Sequence, residues 1–199
     1  MPSLSIENKS AAQKHSLIIA GISVCIVVIL ALLITGCPYP QVPTVGKPIF
    51  KVHIKWAMQH AGIPDNVFGD TFNDIAYKNY SIADMEKVFT LIPTLDATPP
   101  SADWDCDNYT GEFIAYAMRI LKGGAVGSIS YDLRIDGYRH KLVIFFYRDS
   151  VTGDVQIAMV EPYIEWANHL DRHGLIPIGD SGRIWKFDIE FIKPIEIDI

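Results

Sequence analysis

The alternation of polar and apolar positions divides the chain into unlike stretches. Met1 to His15 is polar, and Leu17 to Ile34 is apolar without a single charge. Between residues 49 and 122 the apolar positions recur mostly at helical spacing. Trp56, Ala57 and Met58 ahead of Gly62 favour a helix over Ile49 to His60. Ser81 and Asp84 have the spacing of a capping box, with Asp in place of the usual Glu, and open a helix through Ile82, Met85, Val88 and Phe89 to about Leu91. Tyr109, Phe113, Ile114, Ala117, Ile120 and Leu121 then mark a further helix, stopped by Gly123-Gly124 and capped by Asp103 or Asp105. Asp65 to Tyr80 reads as turn material, and Pro93 and Pro99-Pro100 make a loop ahead of the last of these helices.

The period changes after Gly127. Gly127 to Arg134 and Lys141 to Arg148 read as strands, the second carrying the run Leu142-Val143-Ile144-Phe145-Phe146-Tyr147. Asp149 to Asp154 is hairpin-turn sequence, and Val155 to Val160 is the returning strand, ended by Pro162. Glu165 to His173 predicts a short helix closed by Gly174. Ile184 to Ile197 predicts a final strand or two, with Pro194 near the end. Helices followed by an antiparallel sheet define an α+β fold.

The leading segments point to a membrane. The uncharged run is longer than a signal-peptide core and close to the minimum for a spanning helix, roughly 17–20 residues. Directly after it, Ile34-Thr35-Gly36-Cys37 resembles the bacterial lipoprotein signal, in which small residues precede an acyl-accepting thiol. Cys37 is therefore the expected lipid-attachment residue, and an uncleaved single-span anchor is the alternative. Lys9 and Lys14 on the short leading side fit a domain facing away from the cytoplasm. Residues 1–36 read as signal peptide or anchor, 37–48 as a Pro-rich tether, and 49–199 as one α+β domain. The formal net charge of −6 comes without a basic stripe, which argues against nucleic acid as a partner.

Cysteine usage narrows the chemistry. The cysteines are Cys25, inside the apolar run, Cys37, and Cys106. Cys106 is then the thiol left in an exported domain, without a disulfide partner. It falls at or just inside a helix N-terminus, where unpaired N–H groups and the helix dipole favour thiolate over thiol. The same position also suits a small core hydrophobe.

Hairpin geometry brings in two further residues. His140 opens the strongest strand, and Glu161 stands just past its partner. If the two strands pair antiparallel, His140 and Glu161 lie at the same edge of the sheet. A helix-borne thiol, an imidazole and a carboxylate beside it are the constellation of a cysteine hydrolase: base, nucleophile and orienting acid.

Asp105-Cys106-Asp107-Asn108-Tyr109 opening a helix, His140 before an apolar strand, and Val160-Glu161-Pro162 together resemble the C-terminal protease domain of fungal agglutinin-type lectins and its bacterial and phage relatives. More distantly they resemble transglutaminase-like and papain-like peptidases. The resemblance covers about Trp104 to Tyr163. It implies a papain-like fold, with the nucleophile helix packed on an antiparallel sheet. It implies Cys106 as nucleophile, His140 as base and Glu161 as third member, acting on a peptide or cell-envelope substrate. The related peptidoglycan-cleaving family has Ser and Gly after Asp-Cys, where this chain has Asp107 and Asn108, so that activity ranks second. A non-catalytic envelope lipoprotein that keeps the fold for binding or assembly is the other alternative.

Asp103, Asp105 and Asp107 oppose a thiolate at Cys106, and a bound cation would reverse that penalty. That makes Asp103, Asp105 and Asp107 candidate calcium ligands, and the resemblance implies calcium dependence through the fungal members, but the reading of these residues as solvated caps ranks ahead. The run begins like an EF-hand loop but has Asn108 at the sixth position and Ile114 at the twelfth. His169 and His173 read as surface residues, and His53 and His60 as structural. Trp104 and Trp166 read as core or cleft wall. Asn108 either orients substrate or caps the helix.

Overall fold

The structure is a computed structural model, which describes residues 46–67, 74–92, 105–135 and 137–199. The apolar run, Cys25, Cys37 and most of the Pro-rich tether lie outside these residues, as do Asp103 and Trp104. Among the described residues no helix is long and apolar enough to cross a membrane.

In chain order the elements are β1 (Ile49–Phe50), α1 (Lys51–His60), a 3-10 turn (Asp65–Val67), β2 (Ala76–Tyr77), α2 (Ile82–Leu91) and α3 (Cys106–Ile120). Then come β3 (Val126–Leu133), β4 (Arg139–Arg148), β5 (Val155–Val160), α4 (Ile164–Arg172), β6 (Ile184–Lys186) and β7 (Ile192–Asp198). β1 and β2 form a small antiparallel ribbon. The main sheet has the order β6-β5-β4-β3-β7, with every neighbouring pair antiparallel. Helices and an antiparallel sheet thus combine as α+β, with α4 inserted between β5 and β6.

Local chemistry explains the boundaries. The Ser81 hydroxyl accepts the Asp84 N–H at 3.2 Å, and the Asp84 carboxylate accepts the Ser81 N–H at 2.9 Å, closing the capping box that starts α2. In the β4–β5 turn, Asp149 Oδ1 accepts the N–H groups of Val151 and Thr152, and Gly153 takes a φ of 76°. Gly127 is required where β3 meets β7, because a Cβ there would lie 2.0 Å from the Asp198 carbonyl. Pro194 sits inside β7, not near its end. β7 is an edge strand with a register shift beside Pro194, so the missing N–H breaks no essential bond.

The central strands are apolar on both faces because both are covered. Leu142, Ile144 and Phe146 share one buried face with Ile129, Tyr131, Ile157 and Met159. Ile54, Ala57 and Met58 of α1 and Ala167 and Leu170 of α4 pack into the same core. Val143 and Phe145 alternate to the other face, where α3 packs across β4 and β3 through its buried stripe of Tyr109, Phe113, Ala117 and Ile120. Arg148, at the end of β4, ties the ribbon to the sheet. Its guanidinium donates to the Pro48 carbonyl at 3.0 Å and meets His53 Nδ1 at 3.0 Å.

Candidate active site

Cys106 is the first residue of α3, and its position is set by a reciprocal cap. Asp105 is extended, and its Oδ1 accepts the N–H groups of Asp107 at 3.1 Å and Asn108 at 3.3 Å. Asn108 Oδ1 accepts the Asp105 N–H at 3.2 Å in return. The first turn is therefore held on both sides of Cys106, which stays partly exposed. Thr110, buried one turn on, donates its hydroxyl to the Lys141 carbonyl at 3.1 Å. Asp107 approaches the Lys141 ammonium at 3.7 Å. These links hold the head of α3 against the start of β4, beside His140.

The β4–β5 register supplies the carboxylate. Val143 pairs with Val160, so Glu161 falls opposite Leu142, two positions from His140 on the same face. Diagonal neighbours of this kind are within reach of longer side chains. His140 Nε2 and Glu161 Oε2 are 2.7 Å apart, with the two residues 2% and 1% exposed. Glu161 Oε1 accepts the Tyr163 N–H at 2.9 Å, so both carboxylate oxygens have donors. Cys106 lines the same cleft as His140 and is near enough to favour the protonated imidazole. Since Nε2 faces Glu161, Nδ1 is the nitrogen left for the thiol.

Burial opposes the charged form of His140. The proximity of Cys106, the hydrogen bond with Glu161 and the Coulomb attraction of both outweigh that and push it up to about 9. At neutral pH the imidazole therefore holds its proton between an acid and a sulfur. Aromatic rings fix its plane. Trp166 stacks on it with centroids 4.4 Å apart, and Tyr131, its cross-strand partner, meets it edge-on at 5.8 Å.

A cleft of about 120 Å³ is bounded by Asp105, Cys106, Tyr109, His140, Glu161, Tyr163 and Trp166. Tyr109 and Tyr163 stack at 4.6 Å to form one wall. A larger hollow of about 380 Å³ between α1, β5 and Asp188 holds neither the thiol nor His140 nor Glu161, so the smaller cleft is the candidate site.

The remaining sequence candidates separate. Asn108 caps the helix. Trp166 is cleft wall. His53 accepts the Phe50 N–H at 3.1 Å at the start of α1, and His60 bonds the Trp56 carbonyl oxygen at 2.9 Å and stacks on its indole. His169 and His173 are more than isolated surface groups: their Nε2 atoms are 3.1 Å apart, and His169 meets Trp166 edge-on at 4.7 Å. Of the three candidate calcium ligands, Asp103 lies outside the described residues. Asp105 is engaged in the cap, Asp107 faces an ammonium, and among the described residues no group of three or more metal-ligating side chains is assembled. Thr110, Tyr109 and Tyr163 escaped the sequence reading. Tyr109 stood in the helical stripe and in the motif around Cys106 with no role of its own, and nothing local marks Thr110 or Tyr163.

No family model matches the chain, and no curated protein matches it in sequence.

Proposed function

We propose that the chain is a papain-like cysteine hydrolase that cleaves a peptide or amide bond. The observation that carries this reading is one cleft lined by Cys106, His140 and Glu161, in which His140 is bonded to Glu161 at 2.7 Å. The lipoprotein-type sequence ending at Cys37 supports a site tethered to a membrane and facing away from the cytoplasm.

The chemistry follows from the geometry. The Cys106 sulfur attacks the substrate carbonyl carbon, a carbon–sulfur bond forms, and the carbonyl electron pair moves onto oxygen. The Cys106 backbone N–H is the first-turn donor available to that oxyanion, because Asp105 occupies those of Asp107 and Asn108. Collapse breaks the carbon–nitrogen bond, and the departing amine takes the proton from His140. Water then attacks the thioester, His140 accepts its proton, and the sulfur leaves. Glu161 holds the ring and balances its charge at each protonated stage.

The test is cleavage of a peptide library, cell-wall peptides included, by the full-length chain in detergent micelles. Wild-type protein cleaves, and Cys106→Ala and His140→Gln lose on the order of 10²-fold or more. Absence of cleavage by wild type, or cleavage that survives Cys106→Ala, would overturn the reading and favour a binding module.

A further inference from the structure

We propose that the cleft continues past Trp166 into a subsite for a cationic group of the substrate, an ammonium or guanidinium held by Glu165 beside the rings of Tyr163 and Trp166. The proposal rests on the hydrolase reading above and adds the substrate class to it.

A second hollow, about 240 Å³, is lined by Tyr163, Glu165, Trp166 and His169. Tyr163 and Trp166 are also walls of the thiol cleft, so the two hollows adjoin across the same pair of rings. The chemistry of the second hollow is selective. Glu165, in the first turn of α4, accepts the Tyr163 phenol proton on Oε2 at 2.6 Å. That bond, more than any other influence, pushes the Tyr163 phenol up to about 12, so the phenol stays a donor to Glu165. Oε1 has no hydrogen bond among the described residues and is left for a ligand. His169 closes the far end against Trp166.

Carboxylate plus π-faces is the combination that recognises Lys, Arg or a free amine. An anionic group would meet Glu165 as like charge. An apolar group would desolvate the carboxylate without replacing its water.

The experiment uses the full-length chain and a set of peptidyl acyloxymethyl ketones that carry Lys, Leu or Glu beside the warhead or one residue removed. Labelling of Cys106 is followed by mass spectrometry. In one of the two positions the Lys probe labels roughly tenfold faster than the Leu probe. Glu165→Gln brings the Lys-to-Leu ratio near one, and Glu165→Lys turns the preference toward the Glu probe. A wild-type ratio near one at both positions, or a ratio that Glu165→Gln leaves unchanged, overturns the subsite. Iodoacetamide labelling separates the two failures. A Cys106 that reacts with it but shows no Lys preference sinks the subsite alone. A Cys106 inert to every reagent sinks the hydrolase reading and the subsite with it.

Discussion

The indole of Trp166 lies against the imidazole of His140, centroids 4.4 Å apart and planes 24° from parallel. The contact joins α4 to β4 and prevents the ring from turning between Cys106 and Glu161. It also gives the protonated ring a π-face, which supports the charged form. Trp166→Ala should slow Cys106 alkylation by roughly tenfold through loss of ring positioning, and should cost about 1–3 kcal/mol of stability as a truncated, partly buried aromatic. Labelling rate and thermal unfolding measured on the same sample check both.

Glu161 raises the proton affinity of His140, so removing its charge must lower it from about 9. In the proposed mechanism the protonated ring releases the amine, so the rate of hydrolysis should fall as pH rises through that value. In Glu161→Gln the alkaline limb should move to lower pH, while the shape of the amide preserves folding. Glu161→Ala instead leaves a buried imidazolium without its partner, and should destabilise by about 3–5 kcal/mol. A pH–rate profile and urea unfolding distinguish the two variants.

The same raised value has a stability consequence. A histidine held at about 9 when folded and near 6.5 when unfolded contributes stability that is fully present below pH 6.5. That contribution is lost as pH rises through 9. The unfolding free energy of wild type relative to His140→Gln should therefore decline between pH 6.5 and 9, as read by urea titrations at pH 6 and pH 9.5.

Thr110 should matter more than its distance from the chemistry suggests. Its bond to the Lys141 carbonyl pins the head of α3 to the strand that carries His140. Thr110→Val removes that bond and leaves a half-buried carbonyl short of a donor, a cost of about 1 kcal/mol. Cys106 labelling should slow by several-fold as the helix head shifts, and Thr110→Ser should restore it.

The cap makes an opposite pair of predictions. Asp105→Ala should cost about 1 kcal/mol, and Asp105→Asn only a few tenths, because an amide oxygen still accepts from the helix N–H groups. Thermal unfolding of the two variants reads the difference directly.

Much of this was legible in the sequence because its signals are local. Ser81 and Asp84 announced α2 by a reciprocal bond three residues long. Asp149 to Asp154 announced the hairpin, and antiparallel pairing alone put His140 beside Glu161. What escaped depends on pairings distant in sequence. Nothing in Ile192–Asp198 says that it lies against β3, or in Ile184–Lys186 that it lies against β5. The stacking of Trp166 on His140 and the second hollow beside Glu165 arise only when α4 folds back over the sheet. Asp105 illustrates a choice the sequence left open. Its carboxylate was eligible as cap or ligand, and its bonds to the Asp107 and Asn108 N–H groups make it the cap.

The most direct test of the central claim is the rate of iodoacetamide alkylation of Cys106 against pH, in wild type and in His140→Gln. If His140 holds the thiol proton under the influence of Glu161, wild-type Cys106 labels rapidly below pH 7. His140→Gln then loses that reactivity. Equal profiles for the two proteins, or a wild-type Cys106 that stays inert below pH 7, would contradict a catalytic thiol–imidazole pair.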